Sequence, residues 1–330
     1  MRATRRRFIA ISAAAAGLPL LPAAAAATGA GAQLHVWRGT ALGADAVLQI
    51  HHPDAAAAAR LIAMALAEVE RLERIFSLYR PDSAISRLNR DGTLDSPPAD
   101  LVMLLSRSAE FGRLTDGAFD ITVQPLWRLY ADHFSGTDAD PAGPDRAAVE
   151  QALRRIDYRA LAIDPARIRF ARPGMAITLN GVAQGYVTDR VVELLRREGI
   201  DNSLIDIGEL RAMGMRPDGA PWLVGIEDPV HPEQIAERVP LRGKAMATSG
   251  GYGLRFDAAG RFNHLLDPHS GESAHDVLAV SVIADLATVA DAMSTAFSVM
   301  PLKRAAATAR TLQLDAHFAL SNGSRLRWAH

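Results

Sequence analysis

The chain has no cysteine among its 330 residues. That excludes disulfides, thiolate metal sites, iron–sulfur ligation and a cysteine nucleophile. It also has no surplus of charge. Its 36 basic side chains face 37 acidic ones, a formal net charge of −1, which gives no electrostatic footprint for nucleic acid. There is no H-E-x-x-H, no G-x-S-x-G, no Walker A loop and no G-x-G-x-x-G between a strand and a helix. Zinc proteases, α/β-hydrolases, P-loop NTPases and nucleotide-binding Rossmann domains are therefore disfavoured. What remains is an ordinary globular composition, 49% hydrophobic and 22% charged, with length for one large domain or two modest ones.

The balanced charge is unevenly spread. Arg2, Arg5, Arg6 and Arg7 stand in residues 1–27 without any acid, ahead of an Ala/Leu run from Ile9 to Ala27 broken by Gly17, Pro19 and Pro22. This reads as a basic n-region, a short apolar h-region and an Ala-x-Ala cleavage zone. The run is too short and too interrupted for a membrane span. Thr4-Arg5-Arg6-Arg7-Phe8-Ile9 has the form of a twin-arginine signal, an ordinary secretory signal being the alternative. The expectation is a twin-arginine signal peptide over 1–27, export to the periplasm, and a domain over 34–330 that is not itself transmembrane. Without residues 1–27, 32 basic residues face 37 acids, so the exported protein is mildly acidic.

Behind this segment there is no long linker, repeat or low-complexity stretch. Residues 34–51 read as strand, a turn at Gly39–Gly43, then strand. Pro53-Asp54 opens a helix with apolar positions from Leu61 to Tyr79 at spacings of three and four. Pro98-Ala99-Asp100 opens a second helix towards Leu114, and a third runs from Asp145 to Ile156. A strand at 175–180 leads through a Gly181–Gly185 turn into a helix at 184–198. Strands follow at 203–208 and 222–227. Tyr252–Asp257 and Arg261–Leu266 form a hairpin about Ala258-Ala259-Gly260. Val277–Ala284 is strand, Ala287–Met300 helix and Leu312–Leu320 strand. Without strict β-α alternation the pattern favours α+β over a doubly wound sheet.

Four patches carry chemistry. Asp291 and Thr295, four apart on a helix, project from one face and form an oxygen-only site suited to a hard ion such as Mg²⁺. The alternative is a solvated Asp and a Thr bonded back to its own helix. His264 and Asp267 lie on a strand ending in a turn, with His264 available for acid–base work or simply a strand-end histidine. Ala247–Gly253 reads as a small-residue loop whose N–H groups either cradle phosphate or merely turn. Asp116–Asp120 precedes Thr122–Leu126; it is either a helix C-cap before an ordinary strand or a surface offering Phe119 and backbone groups to a planar ligand.

The order of the blocks is more telling than any one of them. Thr40–Gly43, Phe76–Asn89, Gly117–Asp120, Leu179–Tyr186 with Asp189, Thr248–Gly250, His264–Gly271 and Asp291–Thr295 follow one another along the chain. This series resembles the ApbE family of FAD:protein FMN transferases, from about Val36 to Met300. The resemblance implies a single α+β, T-fold-like domain with mixed sheets and packed helices. It implies FAD as substrate, Mg²⁺ as metal, and transfer of the FMN half of FAD to a Thr or Ser hydroxyl of a partner protein with release of AMP. Carried over by position, Asp291, Ser294, Thr295 and Gly181 hold the metal, the last through its carbonyl. Leu42, Tyr79, Ala118, Phe119, Asp120, Thr178, Gln184 and Leu265 fall where the family contacts the flavin nucleotide, with Tyr79 and Phe119 as the flavin's apolar wall. His264 is the candidate base and Asp291 the second catalytic residue. The family's D-L-x-G-x-x-K-G-Y block has Thr178 and Gln184 here in place of its Asp and Lys. That opens the alternative of an FAD-binding carrier or an FAD pyrophosphatase without protein transfer. The L-N-G-x-A-Q-G-Y-x-T-D-R wording, with the arginine signal, is similar to the NosX branch of nitrous oxide reductase maturation. The expected acceptor is then a NosR-like membrane protein with a periplasmic FMN-binding domain.

Overall fold

The computed structural model describes residues 33–136 and 138–329; the expected signal peptide lies outside the described residues. The chain enters as a hairpin, β1 (Gln33–Ala41) and β2 (Ala44–His52), with Ala41 paired to Ala44. Only Leu42 and Gly43 turn it, both at positive φ (52° and 78°), the backbone of a two-residue primed turn. Asp54 then caps α1 (Ala55–Phe76), its Oδ1 accepting the Ala56 N–H at 2.7 Å. The helix stops at Phe76, so Tyr79 lies beyond it. A second helix, α2 (Ala84–Asp91), follows from Ser83, which the apolar spacing did not announce.

The remaining helices are α3 (Ala99–Leu114), α4 (Gln124–Ser135), α5 (Arg146–Leu153), α6 (Ala183–Arg197), α7 (Ala287–Val299) and α8 (Leu302–Thr311). β1 and β2 continue into β6 (Ser203–Ile207), β7 (Leu210–Met213), β10 (Ala245–Gly250), β11 (Val277–Ala284), β12 (Asp315–Leu320) and β13 (Arg325–Trp328), in the order β1-β2-β6-β7-β10-β11-β12-β13. Two small sheets stand apart, β3 (Thr93–Asp95), β5 (Arg167–Phe170) and β4 (Leu161–Ile163) in one, β8 (Trp222–Glu227) and β9 (Ile235–Leu241) in the other. The α+β expectation holds. The sheets, expected to be mixed, are antiparallel at every pairing among the described residues.

Alternation along the strands separates the two faces of the large sheet. Ala247, Val280, Val282 and Phe318 face the main core with Phe297 of α7, whereas Ala212, Met246 and Ile283 face Trp222, Val224 and Leu241 of the β8–β9 layer.

Several expected elements take another form. Residues 175–180 are not a strand. Asn89 of α2 donates its Nδ2 to the Ile177 carbonyl at 2.8 Å and accepts the Ile177 N–H at 2.7 Å, so one side chain replaces a neighbouring strand. Thr122–Leu126 is helical, because Asp120 caps a 3-10 turn over Ile121–Val123 that runs into α4. The Ala247–Gly250 stretch is not a loop. It forms most of β10, and its backbone is spent on the ladder with β11. Of the Tyr252–Leu266 hairpin only the single bridge Arg255–Asn263 forms. Asn263 instead bonds through its side chain to Ala274 and Leu265, which holds the 263–274 segment as an irregular loop.

One polar knot ties three helices. Asp100 of α3 accepts Arg71 of α1 at 2.8 Å and the Tyr186 hydroxyl of α6 at 2.7 Å. Burial pushes its carboxyl up, but the bonds from Arg71 and Tyr186 and the charges of Arg71 and Arg190 outweigh it and hold the carboxyl below its ordinary value. A depressed folded pKa gives stability that is present above the unfolded value, about 3.9, and lost as pH falls through the folded one. Asp100→Asn is therefore expected to cost on the order of 1 kcal/mol at neutral pH. In chemical denaturation from pH 7 to 3 the gap to the unsubstituted protein should close below about pH 4; a gap independent of pH would contradict the assignment.

Candidate functional site

Leu286 precedes α7 without a side-chain cap of its own. The cap comes from α6. Asp189 accepts the Ala287 N–H (2.9 Å) on Oδ1, and the Thr288 N–H (2.9 Å) and hydroxyl (2.7 Å) on Oδ2. It is also ion-paired with Arg211 of β7, and both side chains are buried. The two helices touch closely beside this cap. A Cβ on Gly185 would lie 2.3 Å from the Ala287 carbonyl, so only glycine fits there. The Gly185 N–H is thereby free to donate to Asp291 Oδ2 at 3.0 Å.

Asp291 is 3% exposed. Burial, with the nearby charge of Asp189 adding to it and the Gly185 N–H opposing it, pushes its carboxyl up to about 7. Among the described residues no basic side chain pairs with it. Glu209, at the β6–β7 turn, is buried close by. Burial and the charges of Asp291 and Asp206 push its carboxyl well above its ordinary value. This acid-rich ground, with Arg211 already committed to Asp189, favours a cation at Asp291.

A cavity of about 60 Å³ opens at Thr295, one helical turn further along α7. Ala118, Phe119, Asp120, Thr178, Gly181, His264, Leu265 and Thr295 all line it, so eight predicted site residues from four separate stretches of the chain meet there. Asp291 and Ser294 sit behind Thr295 on α7, outside the lining. Leu42, Tyr79 and Gln184 are outside it as well. Thr295 presses on Gly181, where a Cβ would lie 2.7 Å from its Oγ1. The alternatives for the D-x-x-x-T pair are both set aside: Asp291 is buried rather than solvated, and the Thr295 hydroxyl contacts Ser249 of β10 at 3.4 Å rather than its own helix.

Two predicted residues have structural duties. Phe119 is 3% exposed and packs edge-on against Phe111 at 5.9 Å, so its ring belongs to the core and is not a freestanding flavin wall; Tyr79 is the exposed aromatic, at 56%. The Asp120 carboxylate accepts the Thr122 N–H and hydroxyl on one oxygen and the Tyr158 N–H on the other. Burial still pushes it above its ordinary value. Thr178 Oγ1 accepts the Asn180 N–H at 3.2 Å. Gln184 is buried against Gly208, its Nε2 without a hydrogen-bond partner among the described residues.

His264 lies 3.1 Å from the Leu254 carbonyl through Nδ1. A carbonyl only accepts, so Nδ1 carries the proton and Nε2 keeps a lone pair. Burial lowers the ring's pKa below its ordinary value, against the Leu254 bond, which raises it. The histidine is therefore neutral at pH 7 and able to take a proton.

Among the described residues no cluster of three or more His, Asp or Glu side chains converges on one point. A metal here would rest on one carboxylate, one hydroxyl and the Gly181 carbonyl, with water and phosphate oxygens completing it. That is the ligand set Mg²⁺ keeps and thiolate- or imidazole-seeking metals do not.

Sequence reasoning missed Asn89, Asp189, Glu209 and Ser249 as supports of this site. Asn89, Asp189 and Ser249 stand inside the ordered blocks, and that is where a signal existed; Glu209 had none.

Fold and site define an α+β protein in which a hydroxyl, a buried carboxylate one helical turn away and a neutral histidine gather at one cavity. The family model described as the ApbE family matches residues 40–318, and the chain belongs to that family. It is 31% identical over 281 residues to the FAD:protein FMN transferase of Klebsiella pneumoniae, covering 82% of this chain and 79% of that protein. Against the Escherichia coli K12 protein of the same description it is 28% identical over 285 residues, 83% and 80% of the two chains. The ApbE protein of Thermotoga maritima superposes with a TM-score of 0.81 at 27% identity, over 89% of this chain and 97% of that one. The apo flavinyl transferase ApbE of Pseudomonas stutzeri gives 0.78 at 29%, over 90% and 94%.

Asp189→Asn removes the charge that pairs with buried Arg211 and caps α7. It is expected to destabilise the fold by about 3–5 kcal/mol, read from denaturant midpoints. Gly181→Ala forces Thr295 aside and should cost roughly 1–3 kcal/mol by the same measurement.

Proposed function

We propose that this protein transfers the FMN portion of FAD to a Thr or Ser hydroxyl of a partner protein and releases AMP. The observation that carries the reading is the meeting of Thr178, Gly181, His264, Leu265 and Thr295 around one cavity, with Asp291 behind it. Family membership and the named relatives support the same activity.

In this reading Asp291, Thr295 and the Gly181 carbonyl hold Mg²⁺, with Ser294 adding a backbone contact. The ion, when bound, neutralises pyrophosphate charge at the attacked phosphorus and the leaving AMP. His264 Nε2 takes the acceptor's hydroxyl proton as the new phosphorus–oxygen bond forms and the bond to AMP breaks, the electron pair leaving with AMP. The Leu254 carbonyl holds the ring in the tautomer this needs. Leu265 and Ala118 shape the apolar wall, and Thr178 meets the nucleotide with a neutral group where the family brings an Asp, while Gln184, neutral in place of the family's Lys, lies buried outside the lining against Gly208.

Those two neutral groups favour a second reading, FAD binding or hydrolysis without protein transfer. FMN and AMP accumulating in the absence of any acceptor would select it. The setting we propose is the periplasm, reached through the twin-arginine pathway, with a NosR-like acceptor. The Thr4–Ile9 stretch and the Leu179–Arg190 wording support it. Among the described residues no helix is long and apolar enough to cross a membrane.

Asp291→Ala and Thr295→Ala are expected to lower Mg²⁺-dependent AMP release from FAD by at least about 100-fold while circular dichroism stays that of the folded protein. Full activity in both would sink the metal assignment. His264→Gln should slow transfer by roughly 10²–10⁴-fold. Because the ring's pKa is lowered, the unsubstituted rate at saturating Mg²⁺, which keeps Asp291 ionised, should hold level through neutral pH and fall only below the ring's ordinary value of about 6.5. A rate that instead falls as pH rises past neutrality would rule His264 out as the base.

A further inference from the structure

Three hydroxyls, among them that of the candidate ligand Thr295, lie in a row between β10 and α7. Ser249 of β10 stands opposite Val280 in the ladder, on the sheet face that meets α7. Its Oγ is 2.8 Å from Ser294 Oγ and 3.4 Å from Thr295 Oγ1. Ser294 Oγ is in turn 2.9 Å from the backbone carbonyl of Asp291.

Proton counting fixes the direction of this row. Each hydroxyl has one proton to give, and a carbonyl can only accept. Ser294 therefore donates to Asp291 and has only lone pairs left for Ser249. Ser249 must donate to Ser294, and it has only lone pairs left for Thr295. The Thr295–Ser249 contact, long at 3.4 Å, then has Thr295 as its donor. All three bonds coexist in this single arrangement, from Thr295 through Ser249 and Ser294 to the Asp291 carbonyl.

The consequence falls on Thr295. Its proton is turned towards β10, so its lone pairs are turned away from that strand. Gly181 passes at the same hydroxyl, close enough that a Cβ there would lie 2.7 Å from Oγ1. The absence of a side chain at residue 181 keeps that ground clear.

We propose that Ser249 is a positioning residue for divalent-cation binding: it holds the Thr295 hydroxyl with its lone pairs free for the ion. Ser249 acts through Thr295 and does not itself contact the ion. Without it the Thr295 proton is free to rotate into the place where the ion must sit. The proposal rests on the reading of Asp291 and Thr295 as ligands.

The test is Mn²⁺ binding to the full chain, followed by electron paramagnetic resonance of the free ion, alongside the Mg²⁺ dependence of AMP release. Ser249→Ala is expected to raise the Mn²⁺ dissociation constant roughly tenfold, in the range seen when a support of a metal ligand is removed. The Mg²⁺ concentration for half-maximal rate should rise in parallel, while the rate at saturating Mg²⁺ stays within about threefold. Ser249→Thr keeps the hydroxyl and should restore binding. Ser249→Cys, similar in shape but a weak donor, gives the same comparison if the alanine variant does not fold. Folded Ser249→Ala or Ser249→Cys protein with unchanged Mn²⁺ affinity would overturn the proposal. If Asp291→Asn also leaves Mn²⁺ affinity unchanged, the ligand reading itself falls and takes the proposal with it. That outcome is distinct, because a Ser249 failure alone leaves the Asp291 effect intact.

Discussion

One buried carboxylate organises the site. Asp189, on α6, closes the open N-terminus of α7, and its negative charge complements the positive end of that helix. Arg211, from β7, neutralises it out of contact with water. Three elements distant in sequence are thereby locked at one point. A buried pair of this kind is costly to break, because the partner left behind is an uncompensated charge. Once the start of α7 is fixed, Asp291 follows one turn later and Thr295 one turn beyond that, both on the face toward Gly181 and Gly185. The same pair decides the electrostatics. Arg211 is used by Asp189, so among the described residues Asp291 keeps a backbone N–H as its one hydrogen-bond donor, and burial pushes its carboxyl up to about 7. A cation is the natural complement of that group.

Glycine makes the approach possible. Gly185 lets α6 lie against the Ala287 carbonyl, and Gly181 lets Thr295 reach the cavity wall. The segment leading into them is irregular, and the Asn89 amide holds it in place of a strand partner. Local chain, helix contact and ligand placement are thus one arrangement.

Much of this was legible beforehand. The helices at 55–76, 99–114, 183–197 and 287–299 carry clear spacing or capping signals, and the resemblance gathered residues whose closeness no local pattern reveals. His264, Thr178, Gly181 and Thr295 do meet. Two misses share one cause: side chains took over work that a backbone pattern leaves to strands. Asn89 did so for residues 175–180 and Asn263 for 263–274. At Ala247–Gly250 the opposite happened, since small residues that read as a loop form a central strand packed under α7. Phe119 lines the cavity and also fills the core against Phe111, a double duty that its block did not announce. Glu209 was invisible, since an acid in a turn shows its burial only in three dimensions.

Covalent transfer of FMN leaves a mass on the acceptor that intact-protein mass spectrometry reads. The purified protein is mixed with FAD, Mg²⁺ and a periplasmic FMN-binding acceptor domain. The expected products are acceptor carrying one FMN and AMP in equal amount, with neither formed when Asp291 is replaced by Ala. AMP and free FMN with an unmodified acceptor, or no AMP at all, would contradict it.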